Sequence, residues 1–180
     1  MTDMHQNGKE QEGRHRSVAR LAGVQALYEM AITGAAVVNV LNEFSSQRWK
    51  GADEEQLVPL AKPDVRFLGE LVRGVSDRSD DLDQLIGTVL EHNNSLERFE
   101  ILLRTILRAG TYELLERIEI PPRVVINEYL EVTHAFFAEN EASLVNGILD
   151  KLAHKLRSEE MTQIENNAKA PKPRRADHSG

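Results

Sequence analysis

The chain has 180 residues and carries 29 acidic against 22 basic side chains, for a net charge of −7, so it suits one acidic domain long enough to bury a core. With no cysteine it can use neither disulfides nor thiolate metal ligands; its polar start and the lack of any apolar run of about 20 residues argue against a secretory leader or a membrane span, so a cytoplasmic protein is expected. The acidity disfavours indiscriminate coating of nucleic acid and leaves local basic clusters as the route to phosphate.

Helical periodicity recurs along the chain and strand alternation does not, so the fold class is all-α with seven predicted helices. Residues 1–13 and 158–180 are polar and are expected to be disordered tails around a helical domain at 14–157. The first helix, about Ser17 to Thr33, is capped by Ser17; it aligns Leu21, Val24, Tyr28 and Ala31 in one stripe, with Val18, Gln25 and Ile32 along the edge. A second, about Ala36 to Trp49, leads into an acidic, Pro-punctuated loop at 51–63. From Asp64 to Arg78, Val65, Leu68, Leu71, Val72 and Val75 repeat at three and four; Ser79 then starts a fourth helix, expected to pair with the third as a hairpin.

The fifth helix, Leu96 to Arg117, is the longest and the most apolar, and it reads as the central core helix. Pro121 and Pro122 open a sixth that runs through Tyr129 to Phe137, and Asn140 or Ser143 starts the last. Gly147 sits in its middle, where glycine is about 1 kcal/mol worse than alanine, so a close helix contact is expected there.

Signals for catalysis are weak. No two of the six histidines fall at the i, i+4 spacing that places two metal ligands on one helix face, and neither nucleotide-binding glycine loops nor a Gly-x-Ser-x-Gly elbow occurs. The acidic pairs lie at helix starts, loops or tails, where the dipole or solvent accounts for them. No cofactor, metal or catalytic residue is therefore expected. What stands out is Arg14, Arg16 and Arg20, with nothing acidic between Arg14 and Glu29. Cations are mildly unfavourable at a helix start, yet an anion there would feel these guanidinium groups, the orphan N–H donors and the dipole together. Phosphate is the natural anion, and arginine also stacks on unpaired bases, which favours single-stranded RNA over a duplex. Gln25, polar on the margin of the apolar face, is either a core-edge amide or a hydrogen-bonding group for a base or a partner.

The segments ARLAGVQALYEM (19–30), FLGELVRGV (67–75), ILRAGTYELL (106–115), IPPRVVINEYLEVTHAF (120–136) and LVNGILDKLA (144–153) together resemble, in order and spacing, the NusB family of bacterial transcription antitermination factors. The resemblance spans roughly residues 14–157 and implies two packed three-helix bundles without enzymatic activity. It implies pairing with NusE, the small-subunit ribosomal protein, binding of boxA in nascent ribosomal RNA, and loading of an antitermination complex with NusA and NusG onto RNA polymerase. It places Arg14, Arg16 and Arg20 on boxA phosphates, with Gln25, Asn140 and Ser143 on the same RNA surface, and Tyr28 and Leu103 toward the protein partner. Ser17 and Val18 stand where many members carry further arginines, Leu103 where they carry an acid, and Ser143-Leu144 where they carry Lys-Phe. These departures define the alternative, a protein-only scaffold or self-associating helical dimer with weak or no RNA binding.

Overall fold

A computed structural model describes residues 2–46, 62–91 and 95–169, and those residues are helical with no strand among them. In chain order the helices are α1 (Thr2–Thr33), α2 (Val37–Ser46), α3 (Val65–Asp77), α4 (Ser79–Gly87), α5 (Ile101–Glu116), α6 (Pro122–His134), α7 (Glu139–Leu156) and α8 (Ser158–Lys169), with one 3-10 turn at Leu96–Arg98. The acidic loop expected at 51–63 lies outside the described residues up to position 61, as does the tail beyond 169.

Several boundaries differ from those predicted. Ser17 does not cap α1: the helix begins at Thr2, and the Ser17 hydroxyl instead donates back to the Gly13 carbonyl at 3.1 Å. The first turns of the stretch expected to be a disordered tail form α8, because Met161 is fully buried and Ile164 packs beside it. Leu96 anchors only a 3-10 turn, and the extended backbone of Phe99 and Glu100 delays α5 to Ile101. Gly147 has open space where a Cβ would stand, so no close helix contact explains it. The close approaches are elsewhere: a Cβ on Gly23 would meet Leu71 at 2.8 Å.

Where the chain turns, local chemistry is visible. Gly34 (φ +71°) closes α1 in the left-handed conformation, its N–H donating to the Met30 carbonyl at 2.9 Å. The Asp64 carboxylate caps α3 by accepting from the Phe67 N–H at 3.0 Å. Pro122 occupies the first turn of α6, where its missing N–H has no helical partner to lose.

The core is built around α5, which touches α1, α3, α4, α6 and α7, while α6 and α7 also pack on each other and α8 lies on α7. Ile106, Leu107 and Leu114 of α5 are buried against Tyr129, Leu149 and Leu152, among others. α4 turns away from α3 and packs mainly on α5, rather than forming the expected hairpin. On α1 the buried face is Ala19, Ala22, Gly23, Val24, Ala26 and Leu27; Leu21 and Tyr28 are only half-buried and Ala31 is exposed. Small residues let α1 lie close on α3; Val24 and Leu27 are buried with them, while Leu21 and Tyr28 face an open flank.

Candidate nucleic-acid interface

α1 runs for 32 residues, about 48 Å, and carries the arginine cluster near its middle, well away from the orphan N–H donors of its first turn that were expected beside it. The three guanidinium groups have different fates. Arg14 is exposed. Arg16 is half-buried, donates to Glu12 one turn earlier at 2.8 Å, and lies 6.0 Å from the centre of the Phe67 ring. Arg20 is buried, with 3% of its surface accessible, and it is the correction to the predicted site.

The Arg20 Nε and Nη2 donate to the two carboxylate oxygens of Glu113 at 2.7 and 2.8 Å, and Nη1 approaches Glu128 at 3.1 Å. Its face lies 5.1 Å from the Phe67 ring centre. Burial alone would depress the pKa of Arg20, but the hydrogen bond and charge of Glu113 outweigh it and hold the pKa above the ordinary value. Glu113 is itself fully buried, so this is an internal, bidentate pair in which the guanidinium has no surface to offer a phosphate. The pair ties α1 to α5, and the approach to Glu128 ties it to α6.

Phe67 organises what remains. Arg117, at the end of α5, lies 5.3 Å from the same ring and bonds Glu70, which also accepts from Arg66. His15 Nδ1 bonds the Lys62 carbonyl, and the Asp64 N–H donates to the His15 carbonyl at 3.0 Å. These bonds hold the arginine-bearing turn of α1 beside the start of α3. The other flank of that turn has a different character: a cleft of about 210 Å³ between α1 and α6 is lined by Val18, Leu21, Val132 and Ala135 and edged by Glu128 and Glu131.

The other predicted residues scatter. Gln25 and Tyr28 are half-buried on the open flank of α1, in helical register with Leu21. Asn140 and Ser143 are exposed on the first turns of α7, where the charged neighbours are Glu139 and Glu141. Leu103 is 5% accessible and packs into the core, so it offers no surface to a partner; Ile101, 39% accessible, is the exposed apolar side chain at that end of α5. Sequence reasoning missed Glu113, Phe67 and Arg117. Glu113 carried a signal, a charged residue on the core face of α5 between Gly110 and Leu114, and a buried carboxylate requires a buried cation.

No helix among the described residues is long and apolar enough to cross a membrane. The NusB family model matches residues 17–154. Transcription antitermination protein NusB of Bradyrhizobium sp. (strain BTAi1 / ATCC BAA-1182) is 40% identical over 154 residues, covering 84% of this chain and 89% of the relative. The protein of the same name from Nitrobacter hamburgensis is 40% identical over 165 residues, covering 91% and 100%. Among solved structures, T. maritima NusB superposes with a TM-score of 0.65 at 28% identity, covering 82% of this chain and 96% of that one. A crystal structure of antitermination factors NusB and NusE in complex with dsRNA has the same fold, with a TM-score of 0.65 at 20% identity over 79% of this chain and 98% of that one. A family match over most of the helical region, relatives at 40% identity and a common fold agree: the chain belongs to the NusB family.

Proposed function

We propose that this protein is a cytoplasmic transcription antitermination factor, a binding adaptor rather than an enzyme, that pairs with NusE and binds boxA of nascent ribosomal RNA. It then helps load the antitermination complex, with NusA and NusG, onto RNA polymerase. The observation that carries this reading is the family match over residues 17–154 together with the name borne by the relatives at about 40% identity. A solved complex of the same fold holds NusE and dsRNA, which supports the choice of partners. In this reading α1–α3 form one three-helix bundle and α5–α7 the other.

Arg14 and Arg16 hold RNA phosphates from the outer side of α1, with Gln25, Asn140 and Ser143 as uncharged contacts and Tyr28 facing the protein partner. Arg20 acts from beneath, by fixing the helix that carries the other two. The test is a titration of labelled boxA RNA with the protein alone and with NusE, over a range of salt. Binding should weaken steeply with salt, and Arg14→Ala with Arg16→Ala should lower the logarithmic salt slope by about 0.7 for each phosphate no longer neutralised. Salt-independent or absent binding in the presence of NusE would sink the reading and favour the protein-only scaffold.

A further inference from the structure

A second basic feature lies on α3. Arg66, Gly69 and Arg73 follow one another at i, i+3 and i+7 and so share a face. Arg66 is 89% exposed and bonds Glu70 through Nε at 2.9 Å. Arg73 is exposed, and its guanidinium folds back over Gly69, with Nη1 2.8 Å from where a Cβ would stand. The missing side chain of Gly69 thus brings the Arg73 guanidinium back toward Arg66.

Between these cations and α2 lies a cleft of about 260 Å³, with Leu41, Asn42, Val65, Leu68 and Glu70 in its lining. Val65 is 58% exposed. The cleft is smaller than the roughly 300–1,000 Å³ of pockets for drug-sized ligands. An apolar floor under guanidinium rims is the chemistry that takes one flat heteroaromatic ring, with anions on the rims. Glu70 does not oppose this, because bonds from Arg117 and then Arg66 hold its carboxylate below the ordinary pKa and match its charge.

A chain of side-chain contacts links the cleft to the arginines of α1. Arg16 lies over Phe67, Arg117 lies over the same ring and bonds Glu70, and Glu70 bonds Arg66. The opposite flank of α1 is edged by Glu128, which Arg20 approaches, and by the exposed Glu131, which repels phosphate. A polynucleotide leaving Arg16 therefore meets cations toward α3 and carboxylates toward α6.

We propose that the cleft between α2 and α3 is a nucleotide seat for single-stranded RNA, taking one unpaired base between Leu41 and the exposed Val65 with its neighbouring phosphates on Arg66 and Arg73. The proposal rests on the RNA-binding function above and extends the RNA path beyond the α1 arginines. The test uses the full chain with NusE and a fluorescent single-stranded boxA RNA extended on both sides. The exposed pair Arg66→Gln and Arg73→Gln, with helicity checked by circular dichroism, should weaken binding about tenfold or more and flatten the salt slope by about 1.4. An abasic spacer moved along the RNA should weaken binding to the native protein at one position and have no effect there on the double variant. Unchanged affinity and slope in the double variant, while Arg14 and Arg16 variants are impaired, would overturn the seat and leave the functional reading intact. Equal spacer effects on both proteins would overturn the base-binding part, and a native protein that binds no RNA with NusE present would overturn seat and function together.

Discussion

Replacing Arg20 by alanine separates two meanings of the same arginine. If it held phosphate, the variant would fold normally and bind RNA less well. In the structure it is 3% accessible and bonds a fully buried carboxylate, so its removal strands Glu113 in the interior without its cation. Breaking one side of a buried pair costs about 3–5 kcal/mol. For a chain of this size about 2–4 °C of Tm follows each kcal/mol, so Arg20→Ala should melt roughly 6–20 °C lower. Denaturant unfolding and thermal scans read this directly, and Glu113→Leu combined with Arg20→Met should recover most of it, because an apolar pair of similar volume replaces the ions at little cost. The recovered double variant should bind RNA as the native protein does, since the guanidinium it lacks never reached the surface. An Arg20→Ala protein with native Tm and lost RNA affinity would refute the interior assignment.

Two glycines should respond with opposite signs. Gly147→Ala, which enters open space on an α-helix, should raise stability by about 1 kcal/mol in urea titration, whereas Gly74→Ala should lower it by about 1–3 kcal/mol because its Cβ would collide with the Tyr112 phenol. Arg157 donates to the Ile118 and Ile120 carbonyls and to Glu160, so Arg157→Lys, unable to reproduce that fork, should lose about 1–3 kcal/mol in the same assay. The docking of α8 should depend on pH through His154, whose pKa is raised by the hydrogen bond to Glu165 and then by the bond to the Asp150 carbonyl. Because only the imidazolium donates from both nitrogens, its stabilisation is full below the ordinary histidine value of about 6.5 and fades as pH rises through the higher folded value. Amides of α8, corrected for intrinsic exchange rates, should lose protection as pH rises above the ordinary histidine value of about 6.5. His154→Ala should remove that dependence.

The order and type of the helices were legible in the sequence because each has an apolar period that burial enforces, as in Leu68, Leu71, Val72 and Val75 of α3. The ends were less so, for reasons visible at particular residues. Ser17 looks like a cap only if the polar residues before it are assumed not to be helical, and Met161 looks like part of a tail until α7 supplies the surface it packs on. On α1 the predicted stripe shares Val24 with the buried face, but close approach to α3 turns that face toward Ala19, Ala22, Gly23 and Ala26, and period alone does not distinguish a face that is apolar from one that is thin.

The candidate site was legible as a cluster and illegible as a set of contacts, because the burial of a charge depends on a partner far away in the chain. Arg20 and Glu113 are 93 residues apart, and neither sequence neighbourhood names the other. Yet the pair is consistent with each local oddity: an arginine among alanines on the small-residue face of α1, and a glutamate among the core positions of α5. Pairing them satisfies both charges internally and leaves the exposed Arg14 and the half-buried Arg16 as the outer part of the cluster, on a helix whose position the buried pair now fixes. A chain of net charge −7 can in this way keep a cationic edge, since its carboxylates near that edge are either matched by buried or bridging arginines or gathered on the flank toward α6.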